Sequence, residues 1–181
     1  MTGMIRTDKI MNHEKLEIER KYLIRMPDEA ALGSMPGCET WQISQTYLSS
    51  SGNGYTSRLR RMVVEGREVF IHTEKRRVSA LSCEEDEREI SRAEYDALMQ
   101  QADPALRTIE KKRCRIPYAG RMMEIDIYSF WSDRATLEVE LESEEAEVSL
   151  PPWLDIVREL TGEAAYKNYA LARQIPMEAL A

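Results

Sequence analysis

Three short segments of the chain each carry two acidic residues separated by a single apolar residue. They are Glu17-Ile18-Glu19, Glu124-Ile125-Asp126 and Glu138-Val139-Glu140. Because alternate side chains of a β-strand point to the same face, each pair would lie on one side of its strand. Crowded carboxylates need a cation, and oxygen-only ligation favours a hard ion such as Mg2+ or Mn2+. Lys21 continues the first pair at the same spacing, so an ammonium group should join those carboxylates.

Basic residues recur at the same spacing in other segments, namely Arg58 and Arg60, Lys75, and Lys111 and Arg113. A solvated sheet face would also alternate charged with apolar residues, but it usually interleaves the two signs because like neighbours repel. Here individual segments are largely acidic or largely basic, so the joint pattern predicts a site for a metal ion and a polyphosphate. A further acidic pair, Glu87 and Glu89, would either pair with these cations or touch metal or water.

The elements that must position these residues are mainly antiparallel strands with few helices, an α+β fold. Turn signals such as Glu65-Gly66 suit tight hairpins. Period-two patterning predicts eight strands, near Lys15 to Ile24, Trp41 to Leu48, Tyr55 to Val64, Arg67 to Arg77, Cys83 to Ile90, Leu106 to Pro117, Arg121 to Tyr128 and Ala135 to Leu141. Helices are predicted after Pro27-Asp28, from the Ser91 to Glu94 capping box through Gln101, over Trp153 to Leu160, and over 163–176.

Composition narrows the class of protein. A chain of 181 residues with 43% hydrophobic content suits one domain over 1–181, with 1–13 as a poorly ordered extension. No long apolar run or secretory signal is visible, which predicts a cytoplasmic protein without membrane contact. Three separated cysteines and two histidines argue against a disulfide framework, a thiolate zinc site and a Ser/His/Asp triad. The net charge of -7 disfavours nucleic acid as a partner.

The ordered set of charged motifs resembles the CYTH superfamily, the triphosphate tunnel metalloenzymes. Glu17 to Lys21 matches its opening ExExK signature, and the other motifs follow in the order that the family uses. Pro151-Pro152-Trp153 and Tyr166 to Ala172 are similar to the tail of its small bacterial members. The resemblance spans roughly Glu17 to Pro176, and it implies eight antiparallel strands closed into a tunnel or barrel, with a charged lumen and flanking helices.

Two positions depart from the family pattern. Members commonly carry a basic residue two places before the acidic pair of the fifth strand, where this chain has Glu85. They often carry an arginine before the Tyr-Lys-Asn motif, where this chain has Ala165. The first departure affects a phosphate contact, and the second affects an anchor of the last helix.

The resemblance implies hydrolysis of the terminal phosphate of a short triphosphate, with inorganic tripolyphosphate as the expected substrate and pyrophosphate and phosphate as products. Lys21 and Glu19 are the candidate catalytic residues. The candidate phosphate ligands are Arg58, Arg60, Lys75, Lys111 and Arg113. The candidate ligands of one or two Mg2+ or Mn2+ ions are Glu17, Glu19, Glu124, Asp126, Glu138 and Glu140. Tyr166 and Asn168 have either a role in the site or one in packing the last helix.

Two alternatives remain open at this level. The same scaffold could act on an organic triphosphate, as an adenylate cyclase, thiamine triphosphatase or nucleoside triphosphatase, since all need the same metal and phosphate apparatus. A non-catalytic module that binds polyphosphate or nucleotides would need the basic residues but not three acidic pairs. The partner expected in either case is a small anionic triphosphate, bound by a monomer or homodimer.

Overall fold

The computed structural model describes residues 15–50 and 52–181, so the extension expected over 1–13 lies outside them. Nine strands occur in these residues: β1 (Lys15–Arg25), β2 (Glu39–Tyr47), β3 (Thr56–Val64), β4 (Arg67–Arg77), β5 (Ser82–Ile90), β6 (Ile109–Tyr118), β7 (Arg121–Tyr128), β8 (Arg134–Glu140) and β9 (Ile156–Glu159). The first eight are the predicted strands, and their ends differ from the prediction by at most three residues.

The eight long strands close into an antiparallel barrel, which confirms the expected tunnel architecture. The order around the barrel is β5-β4-β3-β2-β6-β7-β8-β1, and β1 pairs again with β5. This closure uses only the first part of β1, where Ile18 lies opposite Ser82. Further along the same edge, Tyr22 lies opposite Glu159 of β9. One edge of β1 therefore carries two partners in succession, and the closed barrel leaves few unpaired strand edges.

The hairpins of the barrel turn through residues with positive φ. Glu65 and Gly66 join β3 to β4 with φ values of 49° and 76°, and Ala119 and Gly120 join β6 to β7 with values of 48° and 78°. Two consecutive left-handed residues suit the right-handed twist of the flanking strands. These turns fix the register in which the charged side chains face one another.

The helices are short and lie outside the barrel. Helix α1 (Glu29–Gly33) is capped by Asp28, and helix α2 (Arg92–Leu98) is capped by Ser91, whose hydroxyl accepts a hydrogen bond from the Glu94 amide at 3.1 Å. A 3-10 turn, Met99–Gln101, extends α2 to the predicted end. None of the helices in the described residues is long and apolar enough to cross a membrane.

Two helix predictions are corrected by the structure. The segment from Trp153 to Leu160 is not helical; its residues Ile156–Glu159 form β9 because β1 continues past Ser82, where β5 begins, and offers its backbone groups there. The helix expected over 163–176 is divided into a 3-10 turn, Ala164–Tyr166, and helix α3 (Asn168–Arg173). Lys167 separates them with an extended backbone at φ -72° and ψ 143°.

The main hydrophobic core lies outside the barrel wall. Ile125, Leu137 and Val139, on the faces of β7 and β8 opposite the acidic pairs, pack with Leu32 of α1 and Leu154. A second cluster joins the barrel to α3 and contains Leu23, Tyr128, Trp131, Leu160, Tyr166 and Leu171. The interior is not charged throughout, because Ile43, Met62 and Ile71 share the face of Arg60 and form a small apolar cluster there.

Candidate active site

A cavity of about 200 Å³ lies within the charged part of the barrel. Five of the predicted site residues on the strands line it, with Glu19 and Lys21 from β1, Arg58 from β3, Lys75 from β4 and Glu138 from β8. The β4–β5 turn, the residues after β9 and the start of α3 complete the wall. Members of the acidic and basic rows therefore meet at one cavity, while Arg60, Lys111, Arg113, Glu124 and Asp126 lie outside its lining.

Lys21 is held firmly at the wall of this cavity. Its ammonium group donates a hydrogen bond to Glu138 at 2.8 Å. The Lys21 amide donates to the Thr161 hydroxyl at 3.0 Å, and the Leu160 amide donates to the Lys21 carbonyl at 2.7 Å. Burial acts to lower the pKa of Lys21, but the charges of Glu138, Tyr128 and Glu19 and the hydrogen bond to Glu138 together raise it above its ordinary value. Lys21 is therefore a fixed, protonated donor in the site.

Arg58 and Lys75 lie beside a carboxylate that departs from the family pattern. The Glu85 carboxylate is 3.5 Å from Arg58 and 3.2 Å from Lys75. Lys75 also forms an ion pair with Glu17. Burial would lower the pKa of Lys75, but the charges of Glu17, Glu19 and Glu85 raise it. These two cations are thus charged and share the Glu85 carboxylate before any substrate binds.

Arg113 organises a separate buried cluster beside the cavity. It donates to Asp126 at 2.6 and 2.8 Å and to Glu138 at 3.2 Å, and it also pairs with Glu124. The Lys111 ammonium donates to Asp126 at 2.6 Å. Burial, opposed by Asp126 and reinforced by the charge of Arg113, lowers the pKa of Lys111 to about 8. Of this cluster only Glu138 lines the cavity within the described chain.

The carboxylates near the cavity repel one another strongly. Burial raises the pKa of Glu17 to about 8 against the attraction of Lys75, and the charges of Glu85 and Glu19 add to the rise. Burial also raises the pKa of Glu19, with the charge of Glu138 as the next cause. Burial acts to raise the pKa of Glu138, but the charges of Lys21, Arg113 and Lys111 together lower it to about 2. Glu138 and Glu85 thus have lowered pKa values, whereas burial favours the protonated form at Glu17 and Glu19.

This donor set fits a hard divalent cation chemically. The available ligand atoms are carboxylate oxygens, and their crowding is what a cation would relieve. In the described part of the chain no three His, Cys, Asp or Glu side chains are already arranged as a metal centre. The reason is visible in the ion pairs, since Glu17, Glu124, Asp126 and Glu138 are each held by a lysine or arginine. Metal binding would require these carboxylates to exchange partners.

The other predicted residues are distributed around this centre. Arg60 pairs with Glu87, which also accepts from the Thr73 hydroxyl at 3.2 Å. Glu89 and Glu140 are exposed. Asn168 lines the cavity and accepts a hydrogen bond from the Tyr128 hydroxyl at 2.8 Å. Tyr166 is buried in the outer core, with its hydroxyl bonded to Glu178.

Several cavity residues were not identified from the sequence. Arg77 follows Lys75 at the same period-two spacing, so extending the basic row by one step would have found it. Tyr47 lines the cavity from β2, where no charged row drew attention to it. Lys167 lies outside the strands, and only the tertiary fold brings it to the cavity.

Comparison with known proteins identifies the family. No family model matches the chain. The sequence is 31% identical over 165 residues to a protein of Nitrosomonas europaea named inorganic triphosphatase, and the aligned region covers 88% of this chain and 99% of that protein. The chain belongs to the CYTH superfamily.

Solved structures agree with this assignment. The crystal structure of the inorganic triphosphatase NE1496 is similar to this CYTH protein with a TM-score of 0.55 and 28% identity, covering 89% of this chain and all of that one. The PH1819 protein from Pyrococcus horikoshii OT3 matches with a TM-score of 0.54 over 71% of this chain and 80% of that one. Its identity of 17% supports the barrel fold alone.

Proposed function

We propose that this CYTH protein hydrolyses the terminal phosphate of inorganic tripolyphosphate, giving pyrophosphate and phosphate, with Mg2+ or Mn2+ as cofactor. The observation that carries the proposal is one cavity in which Glu19 and Glu138 face Lys21, Arg58 and Lys75. Such a cavity offers both a cation position and an anion position. The relative named inorganic triphosphatase, aligned over nearly its whole length, supports the choice of substrate.

Phosphate binding is assigned first to the cations that line the cavity. Arg58 and Lys75 would contact the phosphate chain directly, the arginine through paired N–H donors. Arg60, Lys111 and Arg113 are held by carboxylates at its border. They would reach the substrate only when those carboxylates turn toward a metal ion, so cation and anion binding should reinforce each other.

The metal ligands follow from the same geometry. Glu19 and Glu138 line the cavity, and Glu17 pairs with Lys75 of its lining; these three would hold the first ion, with Glu140 at the exposed end of the Glu138 row. Glu124 and Asp126 would serve a second ion or keep Arg113 in place. A bound divalent cation would neutralise charge on the phosphoryl oxygens and favour ionisation of the attacking water.

The role proposed for Lys21 is to donate hydrogen bonds where negative charge develops. Its raised pKa keeps the ammonium group protonated, and its backbone is fixed by Thr161 and Leu160. A donor that is already oriented stabilises the transition state without reorganisation. Lys21 would contact the scissile phosphate or orient the attacking water, and its proton would stay on Nζ throughout.

Further aspects of the proposal concern the whole chain. We expect one CYTH domain over 1–181, acting in the cytoplasm as a monomer or homodimer with no nucleic acid or membrane partner. Light scattering of the purified protein gives its oligomeric state directly. A stable assembly larger than a dimer would contradict this part of the proposal.

The experiment that tests the function compares phosphate release from tripolyphosphate, pyrophosphate, ATP and thiamine triphosphate, with Mg2+, with Mn2+ and after chelation. We expect tripolyphosphate to have the highest kcat/KM and chelation to abolish turnover. Glu138→Gln should lose turnover while still binding tripolyphosphate in part. Preferred turnover of ATP to cyclic AMP, or binding without any turnover, would reject the proposal in favour of a cyclase or a sensing module.

A further inference from the structure

Five basic side chains line the cavity, and they fall into two groups. Lys21, Arg58 and Lys75 each pair with a carboxylate, as described above. Arg77 and Lys167 line the same cavity, yet no carboxylate of the described residues forms an ion pair with either of them. Glu163 lines the cavity too but pairs with Arg158, so among the described residues Arg77 and Lys167 are the two lining cations without a carboxylate at ion-pair distance.

The backbone at both positions is well supported. Arg77 is the last residue of β4 and lies opposite Cys83 of β5. Lys167 lies between the 3-10 turn and α3; its amide donates to the Ala164 carbonyl at 3.2 Å, and its own carbonyl accepts from Leu171 at 2.9 Å. The two residues come from distant parts of the chain and are brought to one wall by the fold.

The two positive charges influence each other. Burial lowers the pKa of Lys167, and the charge of Arg77 is the next cause of the decrease. Cations that are placed close together without a carboxylate between them are stabilised by a bound anion. Neighbouring Lys75, in contrast, already has Glu17 and Glu85 beside it.

We propose that Arg77 and Lys167 form an outer phosphate-binding position, which holds the end of the tripolyphosphate chain away from the phosphate that is cleaved. This inference rests on the proposed function and adds a subsite to it. Lys75 and Arg77 share a strand face and are roughly 6.8 Å apart along it. A single orthophosphate is too short to contact both the Lys75 position and the Arg77 position, whereas a chain of three phosphates can reach both.

The outer position therefore selects a substrate by the length of its phosphate chain and takes no part in the cleavage step. It binds a part of the substrate that does not react, so its contacts are the same in the ground state and the transition state. Loss of such uniform binding raises KM and leaves kcat unchanged. Each cation supplies a charge-assisted hydrogen bond, whose loss changes affinity by about tenfold.

The test uses Arg77→Gln, Lys167→Gln and the double variant in the full chain. Arg67→Gln, an exposed charge at the far end of β4, and Lys112→Gln, which lies outside the cavity and pairs with Glu29, are the matched controls. We expect each single variant to raise KM for tripolyphosphate about tenfold with kcat within about twofold, and the controls to match the wild type. Unchanged KM in the double variant, or a fall in kcat alone, would overturn the outer position.

Equilibrium binding separates this inference from the function itself. If the wild type does not hydrolyse tripolyphosphate, the proposed function fails, and calorimetric titration with tripolyphosphate still tests the subsite. Weaker binding by Arg77→Gln and Lys167→Gln than by the two controls supports the outer position. Equal binding by all four variants rejects it. Thermal midpoints that match the wild type show that each variant is folded.

Discussion

Glu85 lies 3.2 Å from the ammonium group of Lys75, its direct neighbour across the ladder between β5 and β4. The same carboxylate approaches Arg58. Burial acts to raise its pKa, but the charges of Arg58 and Lys75 lower the pKa below its ordinary value. A permanent anion thus stands against two cations that we assign to phosphate binding, at the position where the family commonly has a basic residue.

Replacing Glu85 with Gln removes this competing charge. We expect KM for tripolyphosphate to fall by up to about tenfold, the change that about 1.4 kcal/mol of binding free energy produces. Steady-state kinetics at fixed ionic strength measures it. Glu84→Gln is the control, because Glu84 points to the other face of β5 and pairs with Arg76. An unchanged or higher KM for Glu85→Gln would mean that Glu85 does not compete with phosphate.

Arg113 should be more important for stability than its neighbour Arg115. Arg113→Met leaves Asp126, which is 0% exposed, paired with Lys111 alone. Breaking a buried ion pair costs about 3–5 kcal/mol of unfolding free energy. Arg115→Met removes more exposed pairs with Glu39 and Glu124 and should cost less, about 1 kcal/mol for each pair at most. Urea unfolding without metal compares the two; equal losses would contradict the buried network.

Lys21→Met should affect both activity and the pH dependence of stability. Loss of one transition-state donor lowers kcat by about 100-fold or more. Burial acts to raise the pKa of Glu138, and Lys21 is the largest of the charges that together lower it to about 2. Without Lys21, burial raises that pKa, so the variant is least stable at neutral pH and recovers as Glu138 becomes protonated toward about pH 5. Thermal midpoints at both pH values test this; Lys112→Met should show neither effect.

Metal binding should release protons. The pKa of Glu17 is raised from 4.5 to about 8, so the folded metal-free protein binds more protons than the unfolded chain between those values. Its stability therefore falls as pH rises toward 8. We expect Mg2+ or Mn2+ to displace the proton from Glu17. Titration with metal at pH 7 should then release protons, and the number released should decline when the titration is repeated above about pH 8. Glu17→Gln should release fewer protons, and equal release would remove Glu17 from the metal site.

The sequence predicted the barrel well because its signal is local. Glu17, Glu19 and Lys21 share a strand face by backbone geometry alone, and the same holds for Arg58 and Arg60. The period-two pattern shows which charged residues share a strand face, but it does not show which other residues lie on that face. Ile43, Met62 and Ile71 lie on the interior faces too, although the family resemblance implied a charged lumen.

Other features depend on distant parts of the chain. Ile156–Glu159 is a strand only because β1 extends past β5, and no pattern within four residues carries that information. Lys167 reaches the cavity through the packing of Tyr166 and Leu171. Arg113 was predicted as a phosphate ligand from its spacing, while its three carboxylate partners come from β7 and β8. Such choices between partners are made by the tertiary structure.

The edge of β1 that β5 and β9 share brings residues near the end of the chain into contact with the backbone of Lys21. β9 completes the ladder that β5 leaves unfinished, and the residues directly after β9 grip the backbone of Lys21. A substitution near residue 160 would therefore remove contacts that position Lys21, although every charged side chain of the lumen would still be present. In a mutational screen, inactive variants from this tail would mimic damage to the ExExK motif some 140 residues away.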